Sequence, residues 1–439
     1  MSNLVTRAQI VLLARTLHVP PERLSHLEKL GAARLYELQD RMSAALFQRH
    51  NENFSRISRL VPFVPMSIGV PLMRKIVPAA MTGRAAGLIG IDHPKKIKEI
   101  AELLGVSYAA DAQPYMDPRA IGQLTEATFE PFIGIINEVL RRRDYITVGP
   151  IISNASPELL RALERGVRDD AGLIYSCAYV FPSESVSAFL RQLLTGPARR
   201  FPQMARTFLA GPPDLQLAGL SVFTRCEPEL MRTLGEVLFS VGPPPAISNL
   251  IITAIRVGAV LELLTLTGNL SRHTIGRMAD NPVFDDPAPM AAMLTALDGR
   301  TEPACWRGLF MLAARTSPAV QKYTARLLAA LPDSTVVDLP TRATEADVWP
   351  MLLQILSVAD PAVQSRFGAA WAMLSAERRA GLQWHIHEHH LDARLTAITD
   401  AAPTMSVEEV FFKRRQRRRH LGETADSGTS GTSGSWSAW

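Results

Sequence analysis

Apolar residues recur along this chain at intervals of three and four. Ile97, Ile100, Ala101 and Leu104 make one such set, and Leu159, Leu160, Leu163 and Val167 another. Residues so spaced share one face of a helix with 3.6 residues per turn, and the alternation expected of half-buried strands is scarce. The pattern predicts an all-α protein. A start signal punctuates it: a small or acidic residue followed by proline, at Asp117-Pro118, Ser156-Pro157, Glu227-Pro228, Asp286-Pro287, Ser317-Pro318 and Asp360-Pro361. The first residue of each pair can accept a hydrogen bond from an orphan backbone amide, and proline at the first helical position gives up no bond the helix would make.

Prolines 118 and 157, 287 and 318, and 318 and 361 stand 39, 31 and 43 residues apart, the length of a two- or three-helix repeat. The prediction is an α-solenoid of short stacked helices. An irregular helical protein in which such starts recur by chance is the alternative. The expected organisation is a helical N-terminal subdomain at 1–58, a Pro/Gly-rich elbow at 59–90, and helical arrays at 91–242 and 243–401 joined at Gly242-Pro243-Pro244-Pro245. A basic segment and a Ser/Gly/Thr-rich tail, expected to be disordered, occupy 402–439.

A chain of 439 residues, 47% hydrophobic, exceeds what one core fills and calls for several domains or one elongated array. Its formal net charge is +5, but Lys413, Arg414, Arg415, Arg417, Arg418 and Arg419 supply six positive charges and leave about −1 for the rest. Basicity is therefore local. Three scattered cysteines, Cys177, Cys226 and Cys305, fit neither a metal site nor a disulfide framework and imply a reducing compartment. The N-terminal apolar stretch, interrupted by Arg7 and Arg15, reads as a folded first helix rather than a secretory signal. Two apolar stretches fall short of membrane spans. The 14 uncharged residues between Arg59 and Arg74 are fewer than the ~20 required and contain Pro62, Pro65 and Pro71. Residues 250–266 carry Arg256 and Glu262 and read as one buried core helix.

The stretch His93 to Leu163, with PKKIKEIAELLG, YMDPRAIGQL and SNASPELLRAL, resembles the cytoplasmic N-terminal domain of the MgtE-type magnesium transporters. Upstream, LARTLHVPPERLSHLEKL, ELQDRMSAALFQRH and RLVPFVP resemble soluble bacterial proteins that carry this domain without the transporter. The resemblance spans roughly residues 10–240 and implies a right-handed superhelix of short helices with a role in regulation or protein contact. The family's channel and its paired regulatory domains have no counterpart pattern here, so ion transport is excluded. Its magnesium-sensing acidic residues cannot be aligned to this chain.

The densest candidate chemistry is Trp384-His385-Ile386-His387-Glu388-His389-His390. On a helix His385 and His389 share a face at i and i+4, and Asp392 follows His389 by three residues, so these three are the candidate metal ligands. A zinc-protease motif beginning at His387-Glu388 would need histidine at 391, where Leu391 stands. The competing reading is a polar helix face whose histidines rest on Trp384. In the basic segment, Phe411, Phe412, Lys413, Arg414, Arg415, Arg417, Arg418 and Arg419 are candidates for contact with an anionic partner or membrane surface. The competing reading there is a solvated basic tail. Nucleic-acid readout is disfavoured, because no groove-reading motif accompanies the charges. Val61, Phe63, Val64 and Met66 form an apolar elbow that would dock on a membrane or partner helix if exposed, or else lie under the array.

Gly83, Gly87 and Gly90 lack the preceding strand and following Gly-Lys of a phosphate loop, and there is no GxSxG. The cysteines read as structural. These observations lead to a non-catalytic cytoplasmic scaffold or regulatory protein that binds a protein partner through a helical-repeat surface and needs no cofactor. The alternative is a peripheral membrane protein using the elbow and the basic segment, and a third reading is a metal-dependent enzyme built on the histidine cluster.

Overall fold

A computed structural model describes residues 3–60, 63, 65–93 and 96–401. Among them every regular element is a helix, and no helix is long and apolar enough to cross a membrane. The chain forms two compact units that divide after Leu312.

The first unit opens with the hairpin of α1 (Asn3–Leu17) and α2 (Gly31–Leu60), joined by a 3-10 stretch. Ile10, Leu13 and Leu35 close its core, with Leu17, Leu24 and Leu27 packed around them. Short helices follow: α3 (Met66–Ile76), α4 (Ala79–Asp92), α5 (Ile97–Leu104), α6 (Val106–Ala112), α7 (Glu126–Arg141), α8 (Tyr145–Ser153), α9 (Pro157–Gly166) and α10 (Asp170–Cys177). The unit continues with α11 (Ser183–Thr195), α12 (Phe201–Ala210), α13 (Pro213–Phe223), α14 (Pro228–Val241), α15 (Pro244–Val257), α16 (Val260–Thr267), α17 (Arg272–Ala279), α18 (Ala288–Ala296) and α19 (Pro303–Ala313). The second unit holds α20 (Pro318–Ala329), α21 (Asp333–Glu345), α22 (Trp349–Ser357), α23 (Pro361–Trp371), α24 (Ala376–Glu388) and α25 (Thr396–Ala401).

Packing is mainly between helices two apart in the chain. In the first unit α8 rests on α10, α10 on α12, and α12 on α14, while α7 rests on α9 and α9 on α11. In the second unit α20 rests on α22, α21 on α23, α22 on α24, and α23 on α25. Helices also pack across the proposed joint at residue 243, α12 and α13 against α15.

Buried and half-buried polar side chains tie successive layers together. Asn137 donates to the Gly166 carbonyl at 3.0 Å and accepts from the Arg168 amide at 3.0 Å. Glu164, 1% exposed, accepts from Gln192 at 2.6 Å and from the Ala198 amide at 3.1 Å. Arg225, 7% exposed, donates to the carbonyls of Cys177 at 2.6 Å and Ser221 at 3.1 Å, and also to that of Val180. Each of these groups needs such partners, because an unpaired polar atom away from water costs ~1–3 kcal/mol.

The start signals divide in how they use their side chains. Asp117, Ser156 and Ser317 cap the amides of Arg119, Leu159 and Val320, and Asp286 accepts from the Ala288 amide. Glu227 and Asp360 begin α14 and α23 without a side-chain cap. Their carboxylates instead hold Arg191, and Lys322 with Arg326, on neighbouring helices. The stretch 250–266, expected as one helix, is two. Gly258, at φ 76°, ends α15 in a left-handed conformation that costs glycine little, and α16 begins two residues later with Glu262 buried.

Candidate functional site

In the second unit α24 begins at Ser375, whose hydroxyl accepts from the Arg378 amide. Leu382 and Ile386 are 2% and 0% exposed and set the inward face of this helix. One residue away, His385 stacks on Trp349 with ring centroids 4.6 Å apart and planes inclined by 17°, and meets Trp384 edge-on at 4.7 Å. Burial holds its pKa below the ordinary histidine value, partly offset by the nearby Glu388 carboxylate, while His389 lowers it further.

The helix closes on a motif that sets the positions of its last residues. The Leu391 amide donates to the Ile386 carbonyl at 3.0 Å, and the His390 amide to that of His387 at 3.0 Å. His390 takes the left-handed conformation at φ 55°. These are the two bonds of a Schellman closure, made here by a histidine where glycine is usual. Glu388 and His389 thus sit at the last helical turn and its cap.

The result is a convergent set: His385, Glu388 and His389 each place a ligand atom within 4.8 Å of the other two. The His385 and His389 rings lie 6.4 Å apart and nearly parallel, at 12°. His385 Nδ1 is 3.8 Å from Glu388 Oε2 and has no hydrogen-bond partner in the protein. Of the residues singled out from sequence, His385 and His389 are brought together. Asp392 lies against His387, with Oδ2 3.5 Å from Nδ1. Glu388 was missed, although its i+3 spacing from His385 is a readable signal.

Around the elbow, Phe63 is 81% exposed. Val61 and Val64 lie outside the described residues, as does the side chain of Met66 at the start of α3. The exposed apolar surface continues beyond the elbow. Leu72 and Ile76, one helical turn apart on α3, are 55% and 71% exposed with Arg74 and Lys75 exposed between them, and Met81 on α4 and Val106 at the start of α6 are exposed as well. The basic segment Phe411, Phe412, Lys413, Arg414, Arg415, Arg417, Arg418 and Arg419 lies outside the described residues.

A half-open cleft of about 190 Å³ lies in the first unit, where the α1–α2 hairpin meets α4, the 3-10 turns before α7, and α8. Its lining includes Arg15, Arg84, Gln113 and Thr147. Arg15 also clamps Asp144 through two bonds of 2.5 and 2.7 Å. Burial works to raise the Asp144 pKa, but the Arg15 guanidinium and the Thr147 hydroxyl outweigh it and hold the carboxyl below its usual value. These residues are scattered in the sequence, and no local pattern announces the cleft.

The cysteines are buried, and burial pushes the thiols of Cys177 and Cys226 up to about 12 against the opposing charge of Arg225. Thiols held protonated are poor nucleophiles. Compared with protein-family models and with curated proteins, the chain matches none.

Proposed function

We propose that this chain is a non-catalytic cytoplasmic scaffold whose stacked helices form a right-handed superhelix and present a surface to a protein partner. The observation that carries the reading is where exposed apolar surface gathers. Among the described residues, Phe63, Leu72, Ile76, Met81 and Val106 fall within α3 and its neighbours, while the other exposed large apolar side chains, Leu46, Ile252, Met373 and Trp384, are scattered over separate helices and turns. Exposed apolar residues concentrated in one segment are the usual mark of a contact surface. Packing between helices two apart and the polar clasps between layers support the repeat, as does the resemblance to the MgtE-type N-terminal domain. In such arrays each layer adds contacts to one extended face.

The test is affinity capture from native lysate with the full chain beside a Leu72→Glu, Ile76→Glu variant of equal thermal stability. The expected result is one protein enriched by the native chain and lost with the variant. Equal enrichment by both, or none by either, removes the proposal. Arg74 and Lys75 beside the apolar side chains favour a second reading, a peripheral contact with anionic lipid made together with the basic segment. Flotation with anionic vesicles separates the two, since lipid binding falls as salt screens the charges.

A further inference from the structure

We infer that His385, Glu388 and His389 form a binding site for one borderline divalent transition-metal ion of the zinc, cobalt or nickel class. Such a site goes beyond the scaffold role and stands independently of it. Donors around a tetrahedral ion bonded at about 2.0–2.1 Å lie about 3.4 Å apart. The three ligand atoms lie within 4.8 Å of one another, so inward movements of about 1 Å bring them to coordination distance. The parts of the site suit that closure. His385 is held between Trp349 and Trp384, while Glu388 is exposed and His389 half-buried at the last turn of α24 and its cap, where side-chain rotation alone can bring their ligand atoms inward.

The distance from His385 Nδ1 to Glu388 Oε2, 3.8 Å, is too long for a hydrogen bond, and this buried nitrogen has no protein partner. An ion lying between them would satisfy both atoms. Two imidazoles and one carboxylate select borderline ions over magnesium and calcium, which prefer oxygen donors throughout. Three protein ligands leave a fourth position for water or an external ligand. The His387 and Asp392 pair is a separate contact and supplies an internal control.

The experiment uses the untagged full-length chain, stripped of metal with a chelator, and titrated with Co²⁺ and with Zn²⁺. The expected result is saturation at one equivalent, the visible absorption of low-coordinate cobalt, and partial quenching of tryptophan fluorescence, because His385 lies against two indoles. Glu388→Gln and His389→Ala, changes at partly exposed positions, each weaken binding at least about 10-fold, the scale of losing even a supporting group. His387→Ala leaves it unchanged, and excess Mg²⁺ does not displace the ion. His385→Ala can disturb the Trp349 contact, so the deciding variants are Glu388→Gln and His389→Ala with native melting curves. Absence of saturable binding by the folded native chain overturns the proposal, as does binding unchanged in folded His389→Ala or stoichiometric binding without tryptophan quenching.

Discussion

Replacing Arg225 with methionine keeps the length and apolar stem of a buried side chain and removes its charge and donors. In the native fold the guanidinium bridges the carbonyls of Cys177 and Val180, at the end of α10, to the Ser221 carbonyl near the end of α13. No carboxylate faces it among its bonded partners, and burial brings its pKa down to about 10. Two hydrogen bonds from a charged donor to buried carbonyls across layers contribute about 1.5–3 kcal/mol each, or about 3–6 together. Against that stands the cost of removing a guanidinium from water, several kcal/mol even after relaxation. Removing the donor also strands the buried Cys177 and Val180 carbonyls at about 1–3 kcal/mol each, so after the desolvation cost is subtracted Arg225→Met destabilises the first unit by about 2–3 kcal/mol, and Arg225→Ala by about 2 more through the cavity it opens. At about 1.5 °C per kcal/mol for a unit of 312 residues, Arg225→Met lowers the melting temperature by about 3–5 °C. Urea melts followed by circular dichroism give the magnitude, and hydrogen exchange at the amides of residues 177–181 and 221–226 locates it. A methionine variant as stable as the native chain would show that the layers do not depend on this cation, and would refute this balance of bonding over desolvation.

Gly308 faces the Leu264 backbone so closely that a Cβ would lie 2.0 Å from its carbonyl oxygen, so Gly308→Ala forces α16 and α19 apart at about 1–3 kcal/mol, read as a lowered melting temperature. Trp371, fully buried, donates to the Val336 carbonyl at 2.8 Å, and Trp371→Phe strands that carbonyl for about 1–3 kcal/mol, measurable as a lower urea midpoint of the second unit. The Asp144 carboxyl has its pKa depressed on folding, so its contribution is present above the unfolded value near 3.9 and is lost as pH falls through the lower folded value. Asp144→Asn should therefore melt below the native chain at pH 7, with the difference shrinking in acid below about pH 4; a difference constant with pH would count against the Arg15 clamp.

That this chain is helical, and where many of its helices begin, can be read from the amino-acid sequence alone. Both follow from local physics. The period of Leu159, Leu160 and Leu163 marks a helix face, and Ser156 ahead of Pro157 caps its own helix, within four residues of chain. The use each start residue makes of its side chain is not local. Asp360 reads like Asp117, yet it gives its carboxylate to Lys322 and Arg326, because α20 and α23 pack together and offer a charge partner better placed than its own amides. Likewise the histidine-rich segment announces itself, but the choice of Glu388 over Asp392 as third member of the cluster depends on the left-handed turn at His390. That turn ends the helix and sends Asp392 to His387. The Arg225 bridge and the cleft beside Arg15 arise only on folding, since each joins residues that are far apart in sequence until packing brings them within bonding distance. The break at Gly258 belongs with them: its neighbours are apolar on both sides, and it is the packing of α15 and α16 as separate helices that selects the left-handed turn there.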